Sequence, residues 1–199
     1  MTTLDFTPST RALAELVRSV GDDDLTRATP CPAYTVADLV DHVGGLTLAF
    51  TAAATKTPLG DGGDPSGDGS RLEPEFRDRI ATGLAGLAEA WADPAAYDGM
   101  TQAGPVELPA EVAAMVALNE VVVHAWDLAV SLGRPYDGDP AAVAVCQSFV
   151  ASFEPPADGP AGDDGPGLFG PPVAPAPDAS EVDRLVAAAG RRPDWPAAD

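Results

Sequence analysis

The chain reads as an all-α protein: a four-helix bundle with one or two additional C-terminal helices and a Pro/Gly-rich surface segment. Three observations predict this. Four stretches, centred near Leu13, Val43, Ile80 and Val122, repeat apolar residues at the i, i+3, i+4 spacing of a helix face. Alternating strand-like patterns are nearly missing between them. Past Phe153 this periodicity gives way to Pro, Gly and Asp before one last short apolar stripe. A length of 199 residues suits a single sizeable core. The expected division is therefore a bundle over residues 1–153 and, over 154–199, the Pro/Gly-rich segment with a short helix packed on the bundle.

The first helix opens at Thr7-Pro8, because proline is tolerated in the first turn, and carries Leu13, Leu16, Val17 and Val20 before Gly21 stops it. Asp22-Asp23-Asp24, just past that end, reads as a solvated turn. Pro30 and Pro32 stiffen the connection to Thr35, an N-cap with Asp38 three residues on, close to a capping box. The second helix, residues 35–57, has the stripe Val36, Leu39, Val40, Val43, Leu46 and Phe50, interrupted by Gly44-Gly45. Each glycine costs a helix roughly 1 kcal/mol against alanine. Close approach of a neighbour or room for a ligand would account for them.

Residues 59–70 form a Gly/Asp-rich surface loop without the ordered ligands of an EF-hand. A third helix covers 73–92 with Phe76, Ile80, Leu84, Leu87 and Trp91 inward; Asp93-Pro94 ends it, and 97–109 suits a short extended connection or a small hairpin. The fourth helix covers 107–132. Asp139-Pro140 starts another, with Val143, Cys146, Phe149, Val150 and Phe153, and Cys146 on that stripe is expected to be inert. Within 154–179, the Leu168-Phe169 to Val173 portion is apolar enough to dock. Ser180 caps a last helix that ends at Gly190, and Trp195 is placed to pin the tail.

The fourth helix is apolar around most of its girth, yet Glu120, His124 and Asp127 fall in one narrow arc at the edge of its buried side. Burying such groups unpaired costs roughly 2–7 kcal/mol for each neutral one and more for a charge. Something must satisfy them. His42, the only other histidine, lies at the margin of the second helix's stripe and can face His124. Two imidazoles and one carboxylate make a three-ligand metal site, His42, Glu120 and His124, that leaves a coordination position open. The same spacing also allows a hydrogen-bonded cluster without metal. Asp38, four residues before His42, and Asp127, three after His124, are candidates to hold the two rings from outside the ligand set; a helix cap alone also explains Asp38.

The charge balance of 11 basic against 31 acidic residues, net −20, repels phosphate backbones and anionic lipid surfaces. The longest apolar stretch is broken by Glu111, Asn119, Glu120, His124 and Asp127, as suits a core helix more than a membrane span. No basic region followed by an apolar one opens the chain, and two cysteines, Cys31 and Cys146, make no disulfide framework. A cytoplasmic protein is expected, without nucleic-acid or membrane partners. The sequence contains neither His-Glu-x-x-His nor Glu-x-x-His, which sets aside metalloprotease and di-iron chemistry.

Thr29-Pro30-Cys31-Pro32, Tyr34-Thr35-Val36, the run from Asp38 to Gly44, and the run from Asn119 to Ala129 together resemble the DinB-like superfamily. The closer resemblance is to the branch typified by the metal-binding domain of mycothiol-dependent maleylpyruvate isomerase. Residues Phe169 to Val173 and the Gly190-Arg191-Arg192-Pro193-Asp194-Trp195 tail resemble a subgroup of that branch. The resemblance implies a divalent metal, usually zinc with Ni2+ or Fe2+ fitting the same ligands, held at the positions of His42, Glu120 and His124. It further implies a low-molecular-weight thiol as cosubstrate and a small electrophile as substrate, in a transferase or isomerase reaction. The alternative is a non-catalytic metal-binding or stress-related protein with a structural or sensing metal. The isomerase also carries a C-terminal domain that contributes to its active site, for which this chain shows a short Pro- and Gly-rich stretch. Arg191 and Arg192 offer a basic group for an anionic substrate, although a place near the chain end favours solvent exposure. The oligomeric state is open, a homodimer included.

Overall fold

The computed structural model describes residues 3–58, 66–104, 106–153 and 169–195. Four long helices, α1 (Thr7–Arg18), α2 (Val36–Thr55), α3 (Phe76–Ala92) and α4 (Ala110–Ser131), make an all-α bundle. Both α1 and α2 pack on α3 and on α4, so the consecutive pairs α1/α2 and α3/α4 lie on the diagonals. A two-stranded antiparallel hairpin, β1 (Met100–Ala103) and β2 (Val106–Pro109), joins α3 to α4 with Thr101 opposite Leu108. Beyond the bundle, α5 (Pro140–Ala151) packs on α4 and on α6 (Glu181–Ala188).

The apolar stripes meet in one core. Leu13, Val17, Leu39, Val43, Ile80, Leu84, Leu87, Trp91, Leu118 and Val122 are all buried there, each aliphatic side chain contributing about 1.5–3 kcal/mol relative to exposure. Trp91 is fully buried, stacks on Phe6 with ring centroids 5.9 Å apart, and lends its carbonyl to the Tyr97 hydroxyl at 3.1 Å. Gly44 answers part of the glycine question: a Cβ there would stand 3.3 Å from the Ile80 side chain, so the residue lets α3 come close. By length and composition α2 and α4 could each cross a bilayer, but 78% of the most apolar window of α4 is buried inside the bundle.

Two helices begin three residues later than their patterns suggest. Helix α4 starts at Ala110 because Glu107 is paired with Gln102 across the hairpin and Pro109 draws Leu108 into extended backbone. Helix α3 starts at Phe76 because Pro74 and the turn before it take up residues 73–75. The Gly/Asp-rich loop is also more ordered at its end than a surface loop need be. Gly67 N–H donates to the Tyr34 hydroxyl at 2.8 Å, Gly69 N–H donates to Asp38 at 2.7 Å, and Arg71 pairs with Asp41 at 2.7 Å. A Cβ on Gly67 would fall 2.1 Å from the Asp38 carbonyl oxygen, so only glycine allows this docking onto the first turns of α2. Residues 59–65 of the loop, and Leu168 of the docking stretch, lie outside the described residues. Phe169 packs edge-on against Phe149 and Phe153, and Trp195 is partly buried against the core.

Candidate metal centre

The position of His42 follows from how α2 begins. Thr35 Oγ1 accepts from Asp38 N–H at 3.3 Å, and the Asp38 carboxylate accepts from Thr35 N–H at 2.8 Å and its hydroxyl at 2.6 Å. This reciprocal box satisfies donors that the first helical turn leaves open. The other Asp38 oxygen takes Gly69 N–H. These bonds hold the Asp38 carboxyl below the usual carboxylate range against the opposing effect of burial. The side chain is thus engaged in the cap, the second of the two roles the sequence allows it.

From α2, His42 meets the polar arc of α4. Its ring stands edge-on to that of His124, centroids 4.9 Å apart. Glu120 Oε2 lies 3.0 Å from His124 Nε2 and 3.7 Å from His42 Nε2. One ligand atom from each of the three residues fits within a 4.8 Å span. The side chains are 13% exposed for His42, 22% for Glu120 and 6% for His124, so the cluster lies just beneath the surface with Glu120 its most open member. Glu120 also lines a cavity of about 10 Å³, together with Thr47 and apolar residues including Val43, Phe50 and Leu84, room for about one water.

The donors suit a divalent cation. Nitrogen and carboxylate ligands 2.0–2.2 Å from a tetrahedral zinc stand roughly 3.3–3.6 Å from each other, and the Glu120 distances of 3.0 and 3.7 Å bracket that spacing. Without an ion the same atoms form a charge-assisted network. Burial works against charge on Glu120, but the hydrogen bonds from His124 and His42 hold its carboxyl well below the usual range. Burial likewise opposes charge on His124, yet bonds to Asp127, Cys31 and Glu120 keep its imidazole well above the usual histidine range. Each group thus favours the charged form of the other, and an ion bound at Nε2 would compete with that pairing.

The far side of the His124 ring is closed. Asp127, fully buried, accepts from Nδ1 at 2.9 Å, which leaves Nε2 for the Glu120 and His42 side. Arg191 reaches Asp127 Oδ2 at 3.4 Å, and Cys31 Sγ lies 3.5 Å from both that oxygen and the Arg191 guanidinium. Burial raises the Asp127 carboxyl, but the Arg191 charge and the His124 bond outweigh it and hold the group low. The remaining oxygen, Oδ1, is buried without a hydrogen-bond partner among the described residues.

Sequence reasoning missed two members of this cluster. Arg191 is not the solvent-exposed residue its place near the chain end suggested: its side chain is 19% exposed and turned inward, whereas Arg192 is exposed and pairs with Asp194 at 2.9 Å. Cys31 is set by its own loop, where Thr29 Oγ1 accepts from Cys31 N–H at 3.2 Å and donates to the Tyr34 carbonyl at 2.8 Å. Both lie in motifs the sequence singles out, but only the tertiary fold joins residues 31, 127 and 191. Cys146 is wholly buried, and burial pushes its thiol up to about 12.

A helical bundle that converges two histidines and a glutamate from facing helices defines a class of protein. The sequence pattern of the mycothiol maleylpyruvate isomerase N-terminal domain matches residues 6–129, and the chain belongs to that family. Two uncharacterized Mycobacterium tuberculosis proteins, MT0763 and Rv0738, are each 33% identical over 135 residues, a match that spans 65% of this chain and 66% of theirs. Among solved structures, the mycothiol-dependent maleylpyruvate isomerase superposes with a TM-score of 0.55 at 19% identity, covering 75% of this chain and 72% of that one. A histidine-to-alanine variant of that enzyme gives the same TM-score at 18% identity. Both likenesses are of fold, and place the chain in the DinB-like all-α architecture.

Proposed function

We propose that His42, Glu120 and His124 hold one divalent metal ion, zinc first among the candidates, in a thiol-dependent transferase or isomerase acting on a small electrophile in a reducing, cytoplasmic compartment. The observation that carries this reading is the convergence of three donors from α2 and α4 at spacings suited to tetrahedral coordination. Membership of the isomerase N-terminal-domain family supports the thiol. A divalent ion in such a site supplies a Lewis acid that lowers the pKa of an incoming thiol.

The chain's own residues have distinct tasks. His42 and His124 would present ring nitrogens to the ion, and Glu120 would be a third donor, not a general base. Asp127 keeps the His124 proton on Nδ1 so that Nε2 is free to ligate. Glu120, the most exposed of the three side chains, marks the side from which a ligand would enter. Two imidazoles and one carboxylate around a dication would leave a net charge of +1, which would favour an anionic ligand there.

The test uses cobalt-substituted protein and mycothiol. Thiol addition is expected to change the cobalt visible spectrum, and a panel of small electrophiles to be consumed only with thiol and metal both present. A metal-loaded protein whose spectrum ignores thiols and which consumes no electrophile would leave a structural or sensing metal as the function.

A further inference from the structure

His124 belongs to two donor sets. One is the His42–Glu120–His124 group; the other, on the opposite edge of the ring, is Cys31, His124 and Asp127, whose ligand atoms also lie within 4.8 Å of one another. Thiolate, imidazole and carboxylate are competent zinc and cobalt ligands, and a soft sulfur donor would compete well for a borderline ion. Yet a cation already stands in that second set. The Arg191 guanidinium lies 3.5 Å from Cys31 Sγ and 3.4 Å from Asp127 Oδ2.

Arg191 reaches that place through a constrained backbone. Its N–H donates to the Val186 carbonyl at 2.8 Å, and Nη1 donates to the Ala189 carbonyl at 3.2 Å, tying it to the end of α6. Gly190 before it has φ +86°, and a Cβ there would stand 2.8 Å from the Gly170 backbone. Only glycine allows both the left-handed turn and this contact with the backbone of Gly170. The charges also match, because one guanidinium neutralises the fully buried Asp127, whereas a divalent ion on the same residues would place two cations within a few ångströms.

We propose that Arg191 is a resident cation that occupies the Cys31–Asp127–His124 donor set and so confines a divalent metal to the Nε2 side of His124. Arg191 is a positioning residue here, and the inference rests on the metal site proposed above. Its consequence is metal-site selectivity: the protein keeps a cysteine within reach of its metal-binding histidine without letting the sulfur ligate.

The test is the electronic spectrum of the cobalt-loaded full chain. Wild type is expected to show ligand-field bands without the near-ultraviolet sulfur-to-cobalt charge-transfer band. Arg191→Gln and Arg191→Ala should acquire that band, Arg191→Lys should lack it because the charge is kept, and adding Cys31→Ser to Arg191→Gln should remove it. Circular dichroism identifies which variants are folded, and the glutamine variant, closest in size, decides. A sulfur band in wild type, or a folded glutamine variant that binds cobalt with no such band, would overturn the proposal. Wild-type cobalt bands unaffected by His42→Ala would instead refute the three-ligand site, independently of the behaviour of Cys31.

Discussion

The two edges of the His124 ring solve the same problem in different ways. On the Nδ1 edge the chain supplies its own counter-charge: Asp127 is fully buried, and Arg191 from beyond α6 neutralises it. On the Nε2 edge Glu120 faces two imidazoles and is partly open to solvent. A guanidinium tied to the backbone stays in place, whereas an imidazole can give up its proton to a metal ion. The difference supports the Nε2 edge as the place proposed for an outside cation.

Mutations on the two edges should separate accordingly. The largest effect is expected from His124→Ala, which serves both edges and should abolish zinc binding measured by calorimetry while the bundle's helical circular dichroism persists. Asp127→Ala comes next. It should weaken zinc by roughly 10–100-fold through loss of ring orientation, and cost about 3–5 kcal/mol in urea denaturation because Arg191 is left partly buried without its partner. Equal zinc affinity in this variant would show that the Nδ1 edge does not govern the ligand.

Gly190→Ala should act on the Nδ1 edge alone. A left-handed backbone costs an alanine roughly 1–2 kcal/mol, and the contact with Gly170 adds to it, so the melting temperature should fall while metal stoichiometry holds. The smallest effect belongs to the cap that delivers His42. Thr35→Ala should cost about 1 kcal/mol. The pH response follows from Asp38, whose carboxyl is held low in the folded protein. A depressed folded pKa gives stability that is present above the unfolded value of about 3.9 and lost as pH falls through the folded one. Thr35→Ala should therefore lose less stability than wild type between about pH 5 and pH 2 in denaturant titrations, and parallel curves would count against the cap.

How much of this was legible in the chain depends on how local the signal is. The four stripes, the Thr35 cap and the hairpin before α4 are written in spacings of two to four residues, so the fold class was readable. The common facing of Glu120, His124 and Asp127 was readable too, since one helix sets it, and His42 could be matched to them because the chain has only one other histidine. Cys31 and Arg191 were out of reach. One sits in an irregular loop and the other follows a short terminal helix, and no periodicity relates either to residue 127. The late starts of α3 and α4 came from Pro74 and Pro109, where backbone restriction overrode an apolar pattern that continues through them.

The Nε2 edge is proposed to bind a metal ion. Elemental analysis of protein purified without added metal, beside its His42→Ala and His124→Ala variants, tests it most directly. One divalent ion per chain in wild type, lost in both variants, is the expected result. Substoichiometric metal in wild type even after reconstitution, or full occupancy in either variant, would contradict it.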